Sequence, residues 1–230
     1  MKKAIVLSSG GLDSTVCVAL AVENHGAENV KTISVYYGQK HDRELESARA
    51  VAAYYGVEHF EYDMRKVFSR SKCSLLKDSG EKIVHETYAE QIKTGERVST
   101  YVPFRNGLLL SMAASIADSL FPGEEVSIYY GAHADDYANN AYADCSVEFT
   151  DAMNNAIYIG TYRKICIVAP LIQMNKADVV RMGAVRNVPF ELTWSCYEGG
   201  EKHCGTCATC RDRKRAFSMN GLTDPVSYAK

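Results

Sequence analysis

The run Ser8-Ser9-Gly10-Gly11-Leu12-Asp13-Ser14 has the residue types of an anion site. It follows a short apolar stretch, Ala4 to Leu7, and precedes Leu12, Val16, Ala19 and Leu20, which recur at helical spacing. A strand that turns through glycines into a helix leaves backbone N–H groups at the positive end of the helix dipole, which suits phosphate. Gly10 and Gly11 would let the backbone approach a phosphate that a Cβ would block, and Ser9 and Ser14 add hydroxyl donors. Asp13 is the odd member, because a carboxylate repels phosphate unless a cation lies between. It reads either as a magnesium contact or as a cap of its own loop. Neither G-x-x-x-x-G-K-[ST] nor G-x-G-x-x-G occurs in the chain.

A second cluster is Gly131-Ala132-His133-Ala134-Asp135-Asp136. Asp135 or Asp136 could hold magnesium, which prefers hard oxygen ligands, and His133 could meet a phosphate or a substrate. The competing reading is an Asp pair capping a helix. Arg105 and Lys176 each fall in the first turn of an expected helix, where a cation opposes the dipole unless it serves an anion. Tyr37 and Gln39 end the strand next to the glycine turn, so the backbone there could meet an adenine edge, with Gln39 or His41 assisting.

Cys196-x7-Cys204-x2-Cys207-x2-Cys210 offers four thiolates with two overlapping C-x2-C pairs. Such turns place two sulfurs within reach of one ion, and four thiolates suit tetrahedral Zn²⁺ with no position left for water, hence a structural role. An iron–sulfur cluster fits less well, and His203 in place of Cys196 is the minor option. Cys17, Cys73, Cys145 and Cys166 are scattered, and disulfides are not expected in a reducing compartment. Arg211-Asp212-Arg213-Lys214-Arg215 reads as a solvated helix face with one residue at most touching phosphate.

The elements that position these groups alternate. Strands are expected over 4–7, 31–37, 57–62, 126–132 and 165–169, and helices over 12–23, 41–56, 146–160, 175–185 and 209–219. A long helix from Pro103 or Asn106 should bury Leu108, Met112, Ala113, Ile116 and Leu120. This order predicts an α/β, doubly wound, five-stranded parallel sheet of Rossmann-like type, with ligands beyond the carboxyl ends of the strands. Residues 63–103 lack periodicity and read as a partly ordered excursion, a lid or a dimer contact. Residues 1–190 should form the nucleotide-binding domain and 191–230 a small zinc-binding appendage.

Composition sets outer limits. The 230 residues are 47% hydrophobic, enough for a sizeable core, and the net charge of −2 argues against a broad nucleic-acid surface. No apolar run approaches the length of about 18 residues needed for a membrane span. The apolar part of MKKAIVLSSGG runs straight into the glycine turn, so a signal peptide is rejected and a cytoplasmic protein expected.

SSGGLDS resembles the pyrophosphate loop of ATP pyrophosphatases, enzymes that split ATP between its α and β phosphates. Together with YVPFRN, GAHADD, Asp144-Cys145, PL-x4-K ending at Lys176, and TWSCY with CGTCATC, it closely resembles the 7-cyano-7-deazaguanine synthase family along nearly the whole chain. Two positions depart from that pattern: Ala143 stands where the family usually has Pro, and Ser146 where it often has Arg. The resemblance implies an adenine nucleotide alpha hydrolase-like fold, a structural Zn²⁺ on the four cysteines, and a homodimer without nucleic-acid or membrane partners. It also implies that 7-carboxy-7-deazaguanine, ammonia and ATP with Mg²⁺ are converted to the nitrile in queuosine synthesis. ATP contacts would come from Ser8, Ser9, Gly10, Gly11, Leu12, Asp13, Ser14, Thr15, Val16, Cys17 and Val18, with Tyr37 and Gln39. Substrate contacts would come from Arg105, Asn106, Gly131, His133 and Asp144, and catalysis would rest on Asp13, Ser14, Arg105, Asp136 and Lys176. Rival readings are a tRNA-thiolating enzyme with the same loop and a zinc-module nucleic-acid-binding regulator.

Overall fold

A computed structural model describes residues 2–83, 98–138 and 141–230. Five strands form, β1 (Lys3–Leu7), β2 (Val30–Tyr36), β3 (Glu58–Asp63), β4 (Val126–Tyr129) and β5 (Ile165–Val168); all are largely apolar except the edge strand β3. All pair in parallel, in the order β3-β2-β1-β4-β5. Ala4 lies opposite Val30 on one side and Ser127 on the other. The order therefore reverses at β1, and a crevice opens beyond the carboxyl ends of β1 and β4.

The principal helices are α1 (Leu12–His25), α2 (Arg43–Tyr55), α3 (Arg105–Leu120), α4 (Val147–Gly160), α5 (Lys176–Val185) and α6 (Ala208–Met219). One face of the sheet carries Val16 of α1, Val51 of α2, Val180 of α5 and Phe217 of α6 in a single apolar cluster. The other face carries Leu110 and Ala113 of α3 and Ile157 of α4, packed about Ile5 and Ile128. No helix among the described residues is long and apolar enough to cross a membrane.

Several helix starts are fixed by side chains. Ser146 accepts from Phe149 N at 3.1 Å and caps α4, so the departure from the family's Arg places a good cap here. Asn175 and Asp178 form a reciprocal capping box on α5.

Four expectations need correction. First, β4 stops at Tyr129 rather than Ala132, because the next residues pass against α1; a Cβ on Gly131 would lie 3.1 Å from Asp13 C and Ser14 N. Second, α3 buries Leu110, Ala113, Ala114 and Ala117, while Leu120 is 40% exposed. Alanines let the helix lie close to the sheet, and the larger Met112, Ile116 and Leu120 border a surface groove with Tyr62 and Met64.

Third, much of 63–103 is packed. Phe68, Cys73, Leu76 and Val102 form a cluster under Tyr37, and Leu76 bridges Gln39. The part of the expected excursion at 84–97 lies outside the described residues. Fourth, Arg213 of the basic run is fully buried, not solvated. Its guanidinium donates to both Asp224 oxygens at 2.9 and 3.0 Å, to Thr193 Oγ1 at 2.6 Å and to the Phe190 carbonyl at 3.0 Å. It ties the C-terminal tail and the segment ahead of the cysteines to α6.

A buried charge stripped of its partner is costly. Asp224→Ala should therefore lose about 3–5 kcal/mol of stability, read as a lower urea midpoint at unchanged slope.

Candidate functional site

The glycine turn joins β1 to α1 as expected, with Gly11 as the N-cap. Ser9 N and Ser9 Oγ both lie against Ser14 Oγ, at 3.2 and 3.1 Å, and Gly11 N donates to Ser9 Oγ at 3.2 Å. The two hydroxyls thus brace the loop. The glycines have different duties. Gly10 has φ +75°, and a Cβ there would lie 2.2 Å from the Glu44 carbonyl oxygen of α2, so it serves the turn and the packing rather than a ligand. Gly11 lines the cavity.

Ser8, Ser9, Leu12, Asp13 and Ser14 line the same cavity, together with Tyr37 and Gln39. Of the eleven loop and helix residues expected to touch ATP, Thr15, Val16, Cys17 and Val18 are fully buried and absent from its wall. The apolar three face the core, and the Thr15 hydroxyl donates to the Gly11 carbonyl at 2.9 Å. The Gln39 side chain serves its own loop, accepting from Tyr37 N at 2.9 Å.

Lys176, 163 residues from Asp13, donates to both Asp13 oxygens at 2.8 and 2.6 Å. The cation at the start of α5 thus has its anion. His133 completes the group, with Nε2 at 3.3 Å from Lys176 Nζ, 3.4 Å from Asp136 Oδ1 and 3.8 Å from Asp13 Oδ1. Burial acts to raise the Asp13 carboxyl pKa, but the charges of Lys176 and His133 outweigh it and hold Asp13 below the ordinary carboxylate value. The neighbouring acids separate by role. Asp135 accepts from Lys176 N at 2.8 Å and caps α5, whereas Asp136 lines the cavity.

Arg105 lies across the cavity on α3. It donates to the Tyr37 hydroxyl at 3.2 Å, and its guanidinium stands 5.4 Å from that ring's centre. Burial, only partly opposed by Arg105, pushes the Tyr37 hydroxyl up to about 12. Asn106 and Gly131 line the cavity as well, but Asp144 does not. Asp144 Oδ2 instead accepts from Asn106 N at 2.9 Å, satisfying the first turn of α3, and the Asn106 amide returns to the Asp144 carbonyl at 3.1 Å. A conformational duty thus accounts for the Asp-Cys pair. Cys145 lines the cavity, and burial pushes its thiol up, away from thiolate.

Glu44 and Asp212 line the cavity but did not emerge from the sequence. Glu44 looks there like a dipole-favoured acid in the first turn of α2, and Asp212 is hidden in the basic run.

The four cysteine sulfurs lie within 4.8 Å of one another, where a tetrahedron of bonds of about 2.3 Å would set them roughly 3.8 Å apart. Cys204 N donates to Cys196 Sγ and Cys207 N to Cys204 Sγ, both at 3.2 Å, donors that would stabilise thiolates at these sulfurs. The cluster fits a metal ion. His203 is not in the set; its Nε2 accepts from Ser195 N at 3.1 Å and its ring stacks on Trp194. Trp194 N in turn donates to the Gly10 carbonyl at 2.9 Å, so the cysteine segment is anchored on the glycine turn.

The family described as queuosine biosynthesis protein QueC matches residues 3–221 of this chain. A 7-cyano-7-deazaguanine synthase of Oceanobacillus iheyensis is 45% identical over 233 residues, 99% of this chain and 98% of the relative. One of Thermoplasma volcanium is 40% identical over 235 residues, 100% of this chain and 92% of the relative. In fold alone, the chain is similar to an NMN synthetase from Francisella tularensis, with a TM-score of 0.51 and 11% identity over 96% of this chain and 78% of that one.

Cys207→Ser should lose the bound metal, measured by elemental analysis, together with thermal stability. Chelator-stripped wild type should also bind ATP more weakly, through the Trp194–Gly10 contact. Stripped protein of unchanged melting temperature would overturn the structural reading of the cluster.

Proposed function

This chain belongs to the family of queuosine biosynthesis protein QueC, and we propose that its cavity makes 7-cyano-7-deazaguanine from 7-carboxy-7-deazaguanine and ammonia, using ATP. The observation that carries this reading is the meeting of the Ser9–Ser14 turn with Lys176, Asp13 and His133 at one wall of a single cavity.

The chemistry follows from poor leaving groups. A carboxylate cannot expel oxide, so its oxygen attacks the α-phosphate of ATP and pyrophosphate departs. Ammonia then adds to the acyl-adenylate carbonyl, AMP leaves with that oxygen, and the amide results. The amide oxygen attacks a second ATP and displaces pyrophosphate, and departure of AMP together with both N–H protons of the former amide leaves the nitrile. Each substrate oxygen departs on one AMP, so the balance is two ATP consumed per nitrile.

The protein's part is orientation and charge stabilisation. The backbone of Ser9 to Ser14 cradles the departing pyrophosphate. Lys176 is positioned to donate to the α-phosphate as charge builds there. Asp136 is the carboxylate that would hold Mg²⁺, whose bound charge would screen the phosphates; both Asp13 oxygens are engaged by Lys176, and Asp135 serves the helix cap. Cys196, Cys204, Cys207 and Cys210 are the thiols that would hold Zn²⁺, which would brace the wall that carries Trp194. Two observations weigh against the rivals. A sulfur-transferring enzyme needs an ionisable thiol at the site, and burial holds Cys145 protonated. The basic run cannot act as one nucleic-acid patch with Arg213 sealed in an ion pair.

Incubation with the acid, ATP, Mg²⁺ and ammonium should yield nitrile and AMP in a ratio of one to two by mass spectrometry. Lys176→Met should slow AMP release by roughly 100- to 1,000-fold with the fold retained; turnover at the wild-type rate would count against the assignment.

A further inference from the structure

The cavity carboxylates fall into two sets. Asp13, Asp136 and Asp212 all lie about Lys176 and His133, where each is paired or within charge range. Glu44 is the exception. It stands in the first turn of α2, with Arg105 and Tyr37 as its electrostatic neighbours, and among the described residues no ion pair or hydrogen bond engages its carboxyl. Burial pushes that carboxyl up to about 7 although Arg105 opposes the rise. An acid kept half-desolvated at a cavity wall, without a protein donor, is arranged for a donor on a ligand.

Resting on the function proposed above, we propose that the Glu44 carboxylate binds the 2-aminopyrimidinone edge of the heterocyclic acid, accepting from its ring N–H and its adjacent amino group. The reacting carboxylate of that substrate must come to the phosphate turn and Lys176, so the opposite edge of the bicycle points away from Lys176, toward the stretch of wall that Arg105, Tyr37 and the Glu44 carboxyl share. That edge carries two neighbouring donors, which match the two oxygens of one carboxylate. Beyond them lies a ring carbonyl, an acceptor suited to the Arg105 guanidinium. The adenine of ATP presents a donor beside an acceptor on the corresponding edge, and its ring nitrogen lone pair would face an ionised Glu44 unfavourably. Glu44 is therefore a specificity residue for the acid and not for ATP.

Calorimetric binding of the acid, without ATP, tests this apart from turnover. Glu44→Gln keeps size but turns an amide N–H₂ toward one of the donors, and should weaken the acid by about 10- to 100-fold while leaving the ATP affinity and the melting temperature near wild type. The analogue lacking the 2-amino group should bind wild type more weakly than the acid does, and Glu44→Gln should no longer distinguish the two. Should Glu44→Gln misfold, the analogue comparison on wild type decides: equal binding of acid and analogue overturns the proposal. So does a Glu44→Gln protein with wild-type affinity for the acid, or one whose loss is in ATP binding alone. Wild type that binds the acid with the stated preference but releases no AMP would sink the proposed reaction and leave the Glu44 contact standing.

Discussion

Three parts of the chain converge on the peptide of Gly10. Its left-handed φ turns β1 into α1, and the missing Cβ lets the α2 backbone at Glu44 and Ala48 close on the turn. Its carbonyl receives the Trp194 N–H. A side chain here would have to displace main chain, which cannot move aside as a flexible side chain can. The phosphate turn, the acid on α2 and the cysteine segment are thus set against one another by one residue that itself lines no cavity. The metal cluster gains a reason from this. An ion held there would rigidify the short, glycine-rich stretch that presents Trp194, and so act on the turn from outside.

Electrostatics at the other side of the turn are equally constrained. Asp13, Lys176 and His133 come from α1, α5 and the loop after β4, and none could be paired until the sheet is complete. Desolvation opposes the charge on Asp13, and it is offset by contacts such as the two donors from Lys176. The backbone of α5 is fixed independently, by Asp135 and by the Asn175 box. The Lys176 side chain therefore starts from a fixed point, and little of its freedom remains to be lost when it orders on an anion.

The parts legible in the sequence were those with a period or a spacing. The strand–turn–helix at 3–18, the start of α5 at Asn175 and the cysteine set follow rules of local geometry, and the structure has all three. The misreadings share a cause. Asp144 and Arg213 are polar residues whose roles depend on what folds against them. Asp144 completes a helix that begins 39 residues earlier, at Arg105, and Arg213 is sealed by Asp224. Of the alanine face of α3 only Ala113 was expected to be buried, because large side chains dominate an apolar pattern, although small ones set how closely helix and sheet approach. Glu44 escaped notice because an acid in a first helical turn already has an ordinary explanation in the helix dipole.

The pairing of Lys176 bears on how one cavity could handle two different substrates in succession. The acid carries a full negative charge on the oxygen to be activated, and the amide carries none. A lone ammonium about 4 Å from that oxygen would favour the acid by roughly 4 kcal/mol at an effective dielectric near 20, and would bind the amide poorly at the same place. With both Asp13 oxygens on its N–H groups, Lys176 brings directed donors and little net charge. The backbone N–H groups of the turn are likewise neutral donors. Such a surface narrows the difference between acid and amide at the reacting end. The hold that keeps the intermediate in place must then come from the part of the ring system that does not change between the two steps, which is the part the proposed Glu44 contact would engage.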